Sequence, residues 1–358
     1  MKSLYAYFGL LDLHTIDSPG HSLYQLGLID SIRESFGDAK FDFYSYYPDE
    51  IIKTIDPKPY PEDSRIGVIF NDYQKRLIDY QFSEVSQVLR RIQIKEYDRL
   101  YLKARFRNLS TLSKKWKDAR EFEEIIKVAI ESGYTKDEII ILDTDLSLPE
   151  LFYTRYESLV TIKIPSIDFP GISNSFLEKC VQAHLKDYKK NLNSIVYYGN
   201  IDTSAYKEGN SKSLILRDIL NYLANTSKEN DTVFSVIAKQ SDLNPFPPSV
   251  NGVLRHEREK IWYTLLSNVA MLNITKDKYD DRKFIPARIY EAMIFGMIPV
   301  SYKFNFLNSA FSFESIEDFQ EILKYLEDCE PSDLVNAYSH FIQSYFKYVS
   351  SCNFHISN

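Results

Sequence analysis

The chain has 358 residues, of which 44% are hydrophobic and 26% charged, and its net charge is −7. That is an ordinary globular composition with material for two buried cores, since single cores stop growing near about 250–300 residues. The negative balance counts against generic binding to duplex DNA, which phosphate neutralisation drives, although it leaves room for a local basic patch.

The opening run from Met1 to Leu11 contains Tyr5, Tyr7 and Gly9 and ends at Asp12, so it reads as a first strand, not a signal peptide. No stretch approaches the roughly 18 consecutive apolar residues of a membrane span, so no membrane partner is expected. Cys180, Cys329 and Cys352 are widely spaced and odd in number. They make neither a disulfide framework nor a metal pattern, which suits a reducing cytoplasm.

Apolar runs at Leu4–Leu10, Phe41–Tyr47, Ile66–Phe70, Arg99–Leu102, Ile139–Leu142 and Leu159–Ile164 predict strands. Amphipathic stretches at Leu23–Ser35, Phe82–Ile94 and Glu121–Glu131 predict helices between them. A second series predicts strands at Ser194–Tyr198, Thr232–Ile237, Ala270–Ile274 and Ile298–Tyr302. Its helices are Lys212–Leu223, Arg255–Ser267, Pro286–Phe295 and Ser315–Leu326. Strand and helix in alternation imply βαβ units and parallel sheets. Pro165–Ser175, with Pro165, Pro170 and Gly171, predicts the linker. The expected units are therefore 1–168, 169–330 and a last helix in 331–358. That helix carries Leu334, Ala337, Tyr338, Phe341, Ile342, Tyr345 and Val349 on one face, and it is expected to pack back on the first domain. Two doubly wound domains facing a cleft resemble the two-Rossmann, B-type glycosyltransferase (GT-B) architecture, with ligands at the carboxyl ends of the strands.

Two segments carry candidate chemistry. Phe284-Ile285-Pro286-Ala287-Arg288-Ile289-Tyr290-Glu291-Ala292-Met293 runs into Gly296-Met297-Ile298-Pro299-Val300. Pro286 suits a first helical turn, and Arg288 and Glu291, three apart, share a helix face near its start. There a cation and the helix N-terminus favour a diphosphate, and a carboxylate can accept bonds from ribose hydroxyls. The second segment is Ile139-Ile140-Ile141-Leu142-Asp143-Thr144-Asp145-Leu146-Ser147-Leu148-Pro149, a buried strand running into two aspartates. A carboxylate at a strand's carboxyl end is well placed as a general base. A basic run, Lys103, Arg105, Arg107, Lys114, Lys115 and Lys117, has no acid within it and carries Trp116. Arg255, His256, Arg258 and Lys260 form a second cluster, interrupted by Glu257 and Glu259.

Taken in order, these segments resemble the phage DNA β-glucosyltransferase family, which moves glucose from UDP-glucose to 5-hydroxymethylcytosine in duplex DNA. Tyr97-Asp98-Arg99-Leu100 looks like its motif before a basic loop, and Asp277-Lys278 like an Asp-Lys pair ahead of its donor helix. Thr144-Asp145-Leu146 with Leu148-Pro149 looks like the motif that holds its catalytic base. Phe284-Ile285, Arg288, Glu291 and Met293 look like its donor-binding run. The resemblance implies Asp145 as the base, and Arg288 and Glu291 on the diphosphate and ribose. It implies Tyr198-Gly199-Asn200 as the phosphate loop and Gly252-Val253-Leu254 as the segment whose backbone reads uracil. The family follows its loop with two arginines where this chain has Asp202, Lys207 and Lys212, so Lys207 is the expected substitute. His21, in the loop from Ser18, falls near the donor sugar where the family has a glutamate. Lys103 to Lys117 would then grip DNA phosphates beside a flipped nucleotide.

The partners implied are a UDP-sugar donor, glucose first, and double-stranded DNA with hydroxymethylated bases in an infected bacterial cytoplasm. Nothing demands more than a monomer. No metal cluster stands out among the six histidines. Asp143 with Asp145, or Asp277 with Asp280 and Asp281, can hold Mg²⁺ as an optional aid. The competing reading is a GT-B enzyme acting on a glycan, lipid or small molecule, which the acidic net charge favours. A non-catalytic sugar-nucleotide or DNA-binding protein is the third reading, and Asp145 speaks against it.

Overall fold

The computed structural model describes residues 1–7, 40–45, 60–62, 64–78, 84–103, 117–143, 156–163, 174–186, 191–199, 201, 211–229, 233–243, 246–254, 257–274, 285, 287–303 and 311–351. Two parallel sheets organise them. The first has the order β2-β1-β3-β4-β5, built from β1 (Lys2–Tyr7), β2 (Lys40–Ser45), β3 (Arg99–Lys103), β4 (Ile139–Asp143) and β5 (Val160–Lys163). The second has the order β11-β10-β9-β6-β7-β8. Its strands are β6 (Asn191–Tyr198), β7 (Val233–Ala238), β8 (Asn251–Leu254), β9 (Asn268–Asn273), β10 (Ile298–Tyr302) and β11 (Ser312–Phe313). The fold is thus two Rossmann-like α/β domains with parallel sheets, consistent with the GT-B architecture expected.

The central strands read as near-continuous apolar runs because both faces of each sheet are covered. In the first sheet Leu4, Ala6, Leu100, Leu102, Ile139 and Ile141 point to one face. There they meet Val88 and Ile92 of α2 (Val85–Gln93) and Phe122, Ile125, Ile126 and Ala129 of α3 (Lys117–Glu131). Tyr5, Tyr101, Ile140 and Leu142 alternate to the other face and join the larger core. That core also takes Ile66 and Phe70 of α1 (Arg65–Ile78) and Leu177, Cys180 and Val181 of α4 (Asn174–Lys186).

Ile66–Phe70, expected as a strand, is the start of helix α1. A strand would put Ile66, Val68 and Phe70 on one side. Instead Ile66 and Phe70, four apart, are buried, and Val68 between them is 46% exposed. A short apolar run fits both periods, and here packing selects the helical one. The helix also reaches the helices of the second sheet. Phe70 and Tyr60 pack on Trp262 at 5.1 and 5.0 Å between ring centroids, and Trp262 packs on Phe295 at 5.2 Å. Trp262 lies on α7 (Arg258–Ser267), so an aromatic cluster ties the 60–78 segment to the helices of the second sheet.

The second sheet is flanked by α5 (Ser211–Glu229), the short α6 (Gln240–Leu243), α7, α8 (Ala287–Ile294), α9 (Ile316–Asp328) and α10 (Pro331–Ser351). Ser315 caps α9 in a reciprocal capping box with Asp318. Gly296, at φ 69°, ends α8 where an added Cβ would stand 2.6 Å from the His184 ring. In α10, Leu334, Tyr338, Phe341, Ile342 and Tyr345 are buried as expected. Its described anchor lies on the second domain, because Tyr338 Oη donates to the Met293 carbonyl of α8. Among the described residues no helix is long and apolar enough to cross a membrane, and Cys180 and Cys329 are buried free thiols.

At the amino end of the first sheet, Asp42 of β2 is 8% exposed. It accepts from Arg91 Nη1 at 2.7 Å and Tyr97 Oη at 3.0 Å, and it pairs with Lys2 Nζ at 3.1 Å. Burial pushes the Tyr97 phenol well above its ordinary pKa. Burial lowers the Lys2 pKa, but hydrogen bonds to Glu96 and Asp42 outweigh it and leave the ammonium above its usual value. Asp42→Ala strands three donors. We expect a loss of about 2–3 kcal/mol in chemical unfolding, less than for a fully buried pair because the two cations keep some water.

Candidate functional site

The second sheet reverses direction once. From β6 the chain builds outward through β7 to β8, then crosses back to β9 and continues to β10 and β11. The switch point therefore lies between the carboxyl ends of β6 and β9, where doubly wound sheets open a ligand crevice.

Arg288 occupies that point. It is the second residue of α8, one turn into the expected donor segment. Its Nε donates to the Tyr198 carbonyl at the end of β6 at 2.6 Å, and its Nη1 donates to the Ile274 carbonyl just past β9 at 3.1 Å. The guanidinium also lies 5.3 Å from the Tyr197 ring centroid. A guanidinium has five N–H donors. Two are fixed on the carbonyls flanking the switch point, and the others have no partner among the described residues. A rigidly held cation whose other donors have no partner among the described residues, beside a helix N-terminus, is suited to an anion.

Gly199 makes this geometry possible. A Cβ there would collide with Arg288 Nη2 and stand 3.0 Å from Tyr197 Oη. The turn is held from both sides, with Gly199 N–H donating to the Ile237 carbonyl at 3.3 Å and Ile201 N–H to Asp242 Oδ2 at 3.3 Å. Gly199→Ala should therefore push the guanidinium off its carbonyls. We expect inorganic pyrophosphate affinity, measured by calorimetry, to fall by about tenfold or more while the fold persists.

Glu291 lies one turn beyond Arg288, is 3% exposed and is engaged within the protein. Leu254 closes β8, two strands from β6. Its N–H donates to Glu257 Oε2 at 3.0 Å, and its carbonyl accepts from Glu257 N–H at 2.9 Å. Gly199 and Arg288 are thus brought into direct apposition, with Glu291 and Leu254 on the same domain.

Lys103 stands elsewhere. It closes β3 opposite Tyr7 of β1, at the switch point of the first sheet, and is 3% exposed. Lys117 begins α3. Its side chain lies outside the described residues, as do Asp145, His21, Asn200, Lys207, Arg105, Arg107, Lys114 and Lys115. The strand that leads to Asp145 ends at Asp143, at the carboxyl edge of the first sheet. Among the described residues no group of three His, Cys, Asp or Glu could hold a metal ion.

Four contributors were not singled out in the sequence. The carbonyls of Tyr198 and Ile274 are backbone groups, which no side-chain motif announces. Tyr197 reads as one more aromatic in a buried strand. Glu257 sits inside a mixed charge cluster and looks like a solvated face.

No family model matches the chain, and no curated protein matches it. Solved structures resemble it weakly. The chain is similar to E. coli ADP-heptose lps heptosyltransferase II at 11% identity, over 96% of this chain and 99% of that one, with a TM-score of 0.36. UDP-N-acetylglucosamine 2-epimerase from Rickettsia bellii matches at 10% identity over 99% of each chain, with a TM-score of 0.43. UDP-GlcNAc 2-epimerase from Neisseria meningitidis, bound to UDP-GlcNAc, matches at 10% identity over 97% of this chain and 100% of that one, with a TM-score of 0.39. Likeness at this level adds nothing to what the strand orders already say about the fold.

Proposed function

We propose that this chain is a glycosyltransferase that takes its sugar from a UDP-sugar, with the nucleotide at the switch point of the second sheet. The observation that carries the reading is the Arg288 guanidinium at a helix N-terminus, fixed by the Tyr198 and Ile274 carbonyls and with its other donors unpartnered among the described residues. That arrangement suits a diphosphate, which is both the donor's handle and the leaving group. Glu291 is the group for the ribose, and Gly199, Asn200 and Lys207 form the loop around the phosphates. His21 is the expected contact to the sugar.

In the reaction the acceptor hydroxyl oxygen attacks the anomeric carbon from the face opposite UDP. Asp145 takes the hydroxyl proton as the new C–O bond forms. The bond from the anomeric carbon to the phosphate oxygen breaks, and its electron pair leaves with UDP. Arg288 and the α8 N-terminus stabilise that charge. The configuration inverts because a single displacement suffices. Mg²⁺ is an optional aid to the diphosphate.

The acceptor we favour is a 5-hydroxymethylpyrimidine in double-stranded DNA, supported by the order and spacing of the motifs around Asp145 and Arg288. Arg105, Arg107, Lys114, Lys115 and Lys117 are its phosphate contacts. A glycan, lipid or small-molecule acceptor is the second reading, favoured by the net charge of −7. UDP release from UDP-glucose separates them when duplexes carrying hydroxymethylcytosine, hydroxymethyluracil or only ordinary bases are offered in parallel. Release that depends on one modified base establishes the DNA reading. UDP binding without release on any duplex refutes it and leaves the second.

A further inference from the structure

We infer that Glu257 competes with the nucleobase for the Leu254 N–H, and that base binding displaces its carboxylate from Leu254. This rests on the nucleotide reading of the Arg288 site. β8 is the edge strand of the second sheet, and Leu254 is its last residue. Neighbouring strands lie about 4.8 Å apart, so Leu254 is about 10 Å from the end of β6 across β7. That matches the reach of a nucleotide from its phosphates to its base. At that distance a main-chain N–H and C=O at a sheet edge offer a donor and an acceptor to a planar heterocycle with an acceptor next to a donor.

Both groups are occupied. The Leu254 N–H donates to Glu257 Oε2 at 3.0 Å, and the Leu254 carbonyl accepts from Glu257 N–H at 2.9 Å. The carboxylate thus takes the bond that a base carbonyl would take.

The same residue has somewhere else to go. Glu257 is at the N-cap position of α7, yet its side chain caps no helix N–H. Displaced from Leu254, the carboxylate can turn to that uncapped N-terminus, where a negative charge is favoured. Lys260 Nζ already bonds its other oxygen and can follow it. The exchange trades one charge-assisted hydrogen bond for another, so a base can enter at modest cost. A base must still compete with a carboxylate, the stronger acceptor, and the resident therefore holds nucleotide affinity down.

The experiment measures UDP and inorganic pyrophosphate binding by calorimetry to the full chain and to E257A and E257Q. Pyrophosphate reaches only the Arg288 end and reports whether that end is intact. We expect it to bind all three proteins equally. UDP should bind E257A roughly tenfold more tightly, since one competing charge-assisted bond is gone. E257Q keeps a weaker acceptor and should tighten UDP in the same direction by a smaller factor. A purely structural role, in which Glu257 closes the turn into α7, gives unchanged or weaker UDP binding in both variants. That result, with pyrophosphate intact, overturns the inference and leaves the anion site standing. If pyrophosphate fails to bind the unaltered chain, the anion-site reading falls and this inference falls with it.

Discussion

Arg288→Ala lowers UDP affinity and turnover together, by roughly a hundredfold or more in kcat/KM. Three separate losses add up to that. The first is the charge that meets the diphosphate. The second is the set of N–H donors that the two carbonyls leave over. The third is order, because Tyr198 and Ile274 are no longer bridged and the carboxyl ends of β6 and β9 lose the link that sets their separation. Arg288→Lys separates charge from geometry. A lysine keeps the charge but is a point donor that cannot hold both carbonyls and a phosphate at once. It should recover only part of the loss. If Arg288→Lys restores full activity, the fork geometry is unimportant and charge alone makes the site. If Arg288→Ala binds UDP like the unaltered chain, the diphosphate lies elsewhere.

Asp145→Ala is expected to remove transfer, by about 10²–10⁴ in kcat, while UDP affinity stays within a few-fold. The split matters more than the size. A base acts on the acceptor proton in the transition state, so its loss falls on turnover and leaves donor binding alone. Asp145 follows β4 by two residues, on the first domain, whereas Arg288 belongs to the second. On the proposed reading, donor affinity and base function belong to different sheets. Asp145→Asn is the closer isostere and should be as inactive, since an amide cannot take the proton. Substantial turnover in either variant rules Asp145 out as the base. Asp143 is then the next carboxylate to test.

The sequence made the fold legible wherever a strand was long and apolar. Ile139-Ile140-Ile141-Leu142 and the strands from Ser194 and Ile298 stand within a few residues of their expected bounds. Its failures have particular causes. The run at Ile66–Phe70 is too short for its period to be decided locally, and contacts with Trp262, across the chain, select the helix. β8 is Asn-Gly-Val-Leu, half of it made of residues that avoid strands, and its place at the sheet edge makes it one. Helix α4 was not singled out, although Leu177, Cys180, Val181 and His184 fall on its buried face, and the expected linker Pro165–Ser175 overlaps its first residues.

At the site, the Arg288 and Glu291 spacing fixed which helix face to look at. The charge run shows that Lys103 lacks acidic neighbours but not that it ends a buried strand. What no motif carries is the backbone: the carbonyls that orient Arg288, and the Leu254 groups held by Glu257.

The most direct test of the nucleotide site is a crystal structure of the chain with UDP. The diphosphate is expected within hydrogen-bond distance of Arg288, over the Tyr198–Gly199 turn, with the ribose toward Glu291 and the base toward Leu254. A diphosphate bound away from Arg288, or a switch point that stays empty at saturating UDP, would contradict it.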